Sequence, residues 1–174
     1  MSLQAFTVIV PLYNEAAALP AAIVDLEAIL AETGPHELIV VDDGSTDGSS
    51  AALKALRETH PDLKLFHHET NQGYGAALKT GIRHASHDWI VITDADGTYP
   101  NARIKDLLAH MDQYDMVVGS RTADDVEYST LRKLPKFFLR HYASWIAGRN
   151  IPALTSGLRV FRRSLAATFL GPRP

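Results

Sequence analysis

Apolar positions along this chain keep two rhythms. Short runs of consecutive β-branched and aliphatic residues alternate with stretches in which apolar residues return every three or four positions. The run Phe6-Thr7-Val8-Ile9-Val10 predicts a strand buried on both faces, with Pro11 ending it. Further strands are predicted over 38–41, 63–66, 89–93 and 116–118. Helical spacing predicts helices over 17–31, with Leu19, Ile23, Leu26 and Leu30 on one face, and over 50–58, 74–84 and 103–111, the last behind Pro100. Strand and helix alternating through short connections imply right-handed crossovers and a mostly parallel, Rossmann-like sheet flanked by helices. Ligands of such sheets sit beyond the carboxyl ends of the strands. The segments around Tyr13, Asp43 and Asp94 each follow a strand directly, which brings them to one rim.

Composition narrows the class. At 174 residues, 46% hydrophobic and 21% charged, the chain is read as one soluble domain over 1–174. It has no cysteine, which excludes disulfides and thiolate metal sites. No basic segment followed by an apolar run opens the chain, and no uninterrupted apolar stretch approaches spanning length, so neither a signal peptide nor a membrane span is expected. The net charge of −3 is unevenly placed. Residues 1–129 hold 8 Lys and Arg against all 20 acids, a net of −12; residues 130–174 hold the other 9 bases and no acid, a net of +9. The first part reads as an acidic, ligand-binding region and the second as a basic one facing an anionic acceptor or membrane. From Lys136 onward Phe137, Phe138, Tyr142, Trp145 and Ile146 recur at helical spacing between Lys136, Arg140 and His141. That pattern suits an anionic membrane surface or ligand, or a helix docked on the sheet. Nucleic acid is not expected, because the acidic first part repels it.

The strongest chemical signal is Thr93-Asp94-Ala95-Asp96-Gly97, directly after the apolar run 89–92. Side chains at i and i+2 of an extended segment point the same way, so Asp94 and Asp96 can face one hard cation, Mg²⁺ or Mn²⁺, with phosphate oxygens and water completing its shell. In Val40-Val41-Asp42-Asp43-Gly44-Ser45-Thr46-Asp47-Gly48, Asp43 is expected to contact a ligand, while Asp42 shapes the turn and Asp47 caps the next helix. Gly73-Tyr74-Gly75 does not make a dinucleotide fingerprint, for want of a third glycine; these glycines are read as allowing close helix packing. His67 and His68 lie next to each other on a strand, point oppositely and cannot share one ion.

Taken together, Val10-Pro11-Leu12-Tyr13-Asn14-Glu15, the 40–47 segment, Asn71-Gln72-Gly73-Tyr74-Gly75, Asp94-Ala95-Asp96-Gly97, Gly119-Ser120-Arg121 and Ser156-Gly157-Leu158-Arg159 resemble a family 2 glycosyltransferase, more narrowly the polyprenyl-phosphate (dolichol-phosphate) mannosyl- and glucosyltransferases. The resemblance covers roughly 6–163. It implies a GT-A fold and inverting, metal-dependent transfer of a hexose from a nucleotide diphosphate sugar, of the GDP-mannose or UDP-glucose type, to a polyprenyl phosphate. By position, Pro11, Tyr13, Glu15, Val41, Asp43, Asp94 and Ala95 bind the nucleotide sugar, Asp94 and Asp96 hold the metal, and Asp96, Arg121 and Arg132 are catalytic. Ala153 stands where relatives commonly carry an acid, and relatives continue beyond Arg163, so a shortened C-terminus is expected. The resemblance places the protein in the cytoplasm, peripheral at the cytoplasmic face of a membrane. A donor-binding domain without turnover and a transferase acting on a saccharide are the alternatives. A sugar-nucleotide pyrophosphorylase would instead need a glycine-rich triphosphate loop with Arg and Lys near the first strand, where this chain has Leu12-Tyr13-Asn14-Glu15.

Overall fold

A computed structural model describes residues 4–95, 100–119 and 157–170. Residues 1–117 with 157–174 form one compact unit and 118–156 a second, of which only Val118 and Gly119 are among the described residues. The change from acidic to basic composition at 129–130, the amphipathic stretch from Lys136 and Ala153 lie outside the described residues.

The strands are β1 (Phe6–Leu12), β2 (His36–Asp42), β3 (Lys64–His67), β4 (Trp89–Ile92), β5 (Met116–Val118) and β6 (Arg159–Arg162), in the sheet order β3-β2-β1-β4-β6-β5. β3, β2, β1 and β4 run parallel, and β6 pairs antiparallel with β4. Between them come α1 (Leu19–Thr33), α2 (Ser49–Thr59), α3 (Tyr74–His84), a 3₁₀ turn at Asn101–Arg103 leading into α4 (Ile104–Leu108), and α5 (Arg163–Leu170). Alternate residues of β1 supply two cores. Phe6, Val8, Val10 and Leu12 pack with Leu19, Ile23, Leu26 and Leu30 of α1, Leu53 and Leu56 of α2, and Ile104, Leu107 and Leu108 of α4. On the other face Ile9 packs with Ile39, Val41, Ala77, Ile82, Ile90, Ile92 and Phe161.

Pro11 does not end β1, which runs on to Leu12 and is buried throughout. The β1–β4 register stops at Ile9 with Ile92, so Pro11 lies past the last rung on that side and its missing N–H breaks no rung of the ladder. α4 is shorter than its spacing predicts. Ile104, Leu107, Leu108 and Met111 are all buried, yet beyond Leu108 the hydrogen bonds tighten to the 3₁₀ kind, His110 N–H to Leu107 and Met111 N–H to Leu108.

β6 and α5 carry no clear sequence signal. Val160 and Phe161 of β6 fall in opposite cores, so the strand is buried from both sides. Arg162 closes it, with its guanidinium 4.5 Å from the Trp89 ring centre and Nε donating to Asp115 Oδ1 at 2.8 Å. Arg163 Nη1 donates to the Ala85 carbonyl at 2.5 Å. Two of the basic residues expected to meet an anion therefore serve the fold.

The amino ends of the strands are tied by Glu37. Its carboxylate accepts from the Thr7 hydroxyl (2.7 Å), the Ser86 N–H (2.9 Å), the Ser86 hydroxyl (2.7 Å) and the Lys64 ammonium. Burial alone would raise this carboxyl, but the donors outweigh it and hold it down from 4.5 to about 2. A depressed carboxyl contributes its stability in full above the unfolded value and loses it as pH falls toward the folded one. Glu37→Gln is therefore expected to cost on the order of 2 kcal/mol at pH 7, or roughly 4–8 °C in Tm. The gap from wild type should narrow steadily between pH 4.5 and 2.5 in thermal melts; a gap independent of pH would remove Glu37 from this role.

Candidate functional site

The loop after β1 and the loop after β2 are clasped together. Asn14 N–H donates to Ser45 Oγ (2.9 Å), Thr46 N–H to Asn14 Oδ1 (2.8 Å), Glu15 N–H to Ser49 Oγ (3.0 Å) and Ala16 N–H to Asp47 Oδ2 (2.9 Å). Asn14 holds φ at 55°, a conformation that Asn tolerates better than most residues. Asp47 also accepts from the Ser49 hydroxyl (2.6 Å) and N–H (3.0 Å), and the hydroxyl chiefly holds its carboxyl below the ordinary value. It thus takes the first N–H of α2 from one position before the N-cap, which is Gly48 rather than the predicted Asp47, and it secures the neighbouring loop as well.

Asp42 shapes the turn. It is buried and accepts from Ser45 N–H, Ser50 Oγ and His67 Nδ1. Asp43 is buried too, and its carboxylate is engaged by the segment leading into α3. Oδ1 accepts from His68 Nδ1 (2.6 Å) and Gln72 N–H (3.0 Å), and Oδ2 from Gly73 N–H (2.7 Å). Burial pushes the carboxyls of Asp42 and Asp43 up, and these hydrogen bonds more than reverse the push, so both stay ionised near neutrality.

Above Asp43 lies an open cleft of about 280 Å³, lined by Pro11, Leu12 and Tyr13 after β1, by Asp43 after β2, and by Asn71, Gly73, Tyr74 and Ala77 at the start of α3. Tyr13 and Tyr74 are 45% and 50% exposed, two aromatic faces at the cleft. The Tyr74 hydroxyl donates to Asp94 Oδ1 at 3.3 Å, which joins the cleft to the acid beyond β4. Asn71, Tyr74 and His68 are the residues that sequence reasoning missed as individuals. The Asn71-Gln72-Gly73-Tyr74-Gly75 segment held the signal for the first two.

Pro11, Tyr13 and Asp43 thus meet at one cleft, and Asp94 connects to it. Two residues assigned to the nucleotide sugar stand apart from it. Val41 is fully buried against α3, and Ala95 is buried in the opposite core, so neither side chain lines the cleft. Val41 lies two residues before Asp43 and Ala95 directly after Asp94, so both buried side chains anchor chain close to those acids. Glu15 is half-buried and does not line the cleft, and its carboxylate makes no hydrogen bond or ion pair among the described residues. Asp96, Arg121 and Arg132 lie outside the described residues. The glycine reading is corrected as well. A Cβ on Gly75 would meet nothing within 4 Å, whereas one on Gly81 would stand 2.5 Å from Ile9 Cγ2, so the close packing of α3 on the sheet is at Gly81.

Among the described residues no cluster of three His, Asp or Glu could hold a metal by itself. Asp94 with a tyrosine hydroxyl on it is a hard oxygen donor set. It suits a cation that takes most of its shell from phosphate and water, not a structural metal held by side chains.

The family model described as Glycosyl transferase family 2 matches residues 7–170. The chain belongs to that family. Curated relatives of this family 2 chain include the undecaprenyl-phosphate mannosyltransferase of Micrococcus luteus, 30% identical over 160 residues, covering 88% of this chain and 65% of the relative. The undecaprenyl-phosphate 4-deoxy-4-formamido-L-arabinose transferase of Photorhabdus laumondii is 32% identical over 170 residues, covering 94% and 51%. The chain thus spans between about half and two thirds of the length of these relatives. Among solved structures, the mannosyltransferase PcManGT from Pyrobaculum calidifontis, in complex with GDP-Man and Mn²⁺, is 30% identical with a TM-score of 0.64, covering 97% of this chain and 47% of that one. The glucosyl-3-phosphoglycerate synthase of Mycobacterium tuberculosis, solved with Mn²⁺, UDP and phosphoglyceric acid, has a TM-score of 0.71 at 20% identity over 93% of this chain and 57% of that one, a likeness of fold. The expected GT-A architecture is therefore the fold of this family 2 domain, an α/β domain with a mixed, mostly parallel sheet of six strands. No helix among its described residues is long and apolar enough to cross a membrane.

Proposed function

We propose that this family 2 domain transfers a hexose, with inversion, from a nucleotide diphosphate sugar to a polyprenyl phosphate at the cytoplasmic face of a membrane. The observation that carries the reading is the join between the cleft and Asp94: a base and ribose held between Tyr13, Asp43 and Asn71 would place their diphosphate toward the acid that Tyr74 links to the cleft. The complex of PcManGT with GDP-Man and Mn²⁺ and the two undecaprenyl-phosphate transferases support the donor and acceptor classes.

Asp94 and Asp96 would hold Mg²⁺ or Mn²⁺, which supplies positive charge where the nucleoside diphosphate departs. In the transfer, a phosphate oxygen of the acceptor bonds to the anomeric carbon and the bond to the nucleoside diphosphate breaks, its electron pair leaving with the diphosphate. The acceptor is already anionic near neutral pH, so no strong general base is needed. Arg121 and Arg132 would stabilise the two phosphate groups, and the basic, aromatic stretch from Lys136 would meet the lipid phosphate and an anionic bilayer.

The test is transfer of radiolabelled hexose from UDP- and GDP-sugars to a short polyprenyl phosphate, with and without Mn²⁺, followed by solvent extraction. Label is expected in the lipid phase only when metal and lipid phosphate are both present. Label on an added saccharide in place of the lipid, or donor binding without transfer, contradicts the acceptor assignment.

A further inference from the structure

We propose that His68 is a positioning residue of the cleft: by joining Asp43 to Thr80 of α3 it fixes the wall formed by 71–74, so that ligand affinity is controlled from a hydroxyl outside the cleft. The inference rests on the nucleotide-sugar reading of that cleft. His68 sets the shape of the wall, not the choice of base.

The wall is exposed chain with few anchors. Glu69, Thr70, Asn71 and Gln72 are exposed, and among the described residues no backbone hydrogen bond ties 69–72 to a strand or to another loop. What holds the wall is the Asp43 carboxylate, whose Oδ1 accepts from Gln72 N–H at 3.0 Å and Oδ2 from Gly73 N–H at 2.7 Å. Asn71 Oδ1 accepts from the same Gly73 N–H at 3.0 Å, a bond within the wall. Two bonds from one carboxylate to consecutive N–H groups depend on how that carboxylate is turned, because its rotation moves both acceptors at once and hydrogen bonds weaken steeply off line.

His68 fixes that rotation. Nδ1 lies 2.6 Å from Asp43 Oδ1, and an ionised carboxylate only accepts, so Nδ1 carries a proton and donates. Across the ring Nε2 meets Thr80 Oγ1 at 2.9 Å, and the His68 backbone N–H donates to the Asp42 carbonyl at 2.9 Å. The side chains of His68 and Asp43 are 10% and 4% exposed, so water gives little replacement for either bond. Thr80 lies in the middle of α3, and the chain closes on itself: α3 to His68, His68 to Asp43, Asp43 back to the residues that open α3. Neither His68 nor Thr80 lines the cleft, so both act on a ligand only through Asp43 and the wall.

Isothermal titration of the 174-residue chain with UDP, GDP, dTDP and CDP in Mn²⁺ identifies the nucleotide that binds, and the variants are compared on that one. His68→Leu is expected to weaken binding about ten-fold, the loss of one charged hydrogen bond passed on to the wall. His68→Asn, whose amide can stand near the place of Nδ1 but does not reach Thr80, should recover most of the affinity. Thr80→Val should weaken binding several-fold in the wild type and change nothing further in His68→Leu or His68→Asn, a coupling that a general loss of stability does not produce. Wild-type affinity in His68→Leu, no recovery in His68→Asn, or effects of Thr80 and His68 that simply add each overturn the role of His68 and leave the nucleotide-sugar reading intact. Should the His68 variants not fold, Thr80→Val decides alone: weaker binding by the folded variant supports the relay, and unchanged binding overturns it. Binding of no nucleotide by the wild type overturns both.

Discussion

Asp94→Ala is expected to lower kcat/KM for hexosyl transfer by roughly 10²–10³-fold, the rate equivalent of the several kcal/mol that a metal contributes to a developing charge. The substitution acts at the carboxyl end of β4, past the last rung with β1, so the sheet should be untouched. Circular dichroism and Tm should stay near wild type while Mn²⁺ no longer raises donor affinity. Tyr74→Phe removes only the hydroxyl that reaches Asp94 at 3.3 Å. Its effect should be smaller, on the order of 10-fold, as for groups that orient a ligand of the metal. Equal kcat/KM for wild type and Asp94→Ala would move the chemistry away from this acid.

Gly44→Ala should be strongly damaging. Gly44 has φ of +73°, a conformation that costs an L-residue roughly 1–2 kcal/mol. The added Cβ would also stand 2.5 Å from the Thr70 carbonyl carbon and 2.6 Å from the Asn71 nitrogen, which are backbone atoms and cannot swing aside. Overpacking of this kind costs about 1–3 kcal/mol more, so the total is on the order of 3 kcal/mol, or roughly 10 °C in Tm. The clash pushes the chain that carries Asn71 away from the loop that carries Asp43, so donor affinity should fall with stability. Gly75→Ala, whose Cβ meets nothing, is the control and should be neutral or stabilising by up to about 1 kcal/mol. If the two alanine variants melt together, the close approach at Gly44 is not what holds the cleft.

Much of the architecture was legible because burial on both faces leaves a plain mark. The β-branched runs of β1, β2 and β4 and the helical faces of α1 and α3 were all found within a few residues of their observed limits. β6 was not, because four residues with Arg at each end hide an apolar pair that divides between two cores. Arg162 is satisfied by Trp89 and by Asp115, which are distant in sequence, and neither partnership has a local signal.

The site was legible as a set of segments and less so as roles. Asp43 was expected to meet a ligand, and it lines the cleft, but most of its hydrogen-bonding capacity serves the loop before α3. His67 and His68 were read as unable to share an ion, and the structure gives each its own carboxylate. That pairing follows from the register of β3 on β2, which sets His67 opposite Asp42. A shift by one residue would exchange the faces, and no local pattern fixes it. Val41 and Ala95 share segments with the acids expected to meet a ligand, and both side chains turn into the cores.

The most direct test of the central claim, that this cleft and Asp94 together bind a nucleotide diphosphate sugar through a divalent cation, is a thermal shift series with UDP-, GDP-, dTDP- and CDP-sugars, each with and without Mn²⁺. Donor at about a hundred times its dissociation constant should stabilise the chain by roughly 2.7 kcal/mol, or on the order of 5–10 °C. The account expects that shift with Mn²⁺, its loss on chelation, and its absence in Asp94→Ala. A shift that ignores metal and survives in Asp94→Ala, or no shift with any of the four, would contradict it.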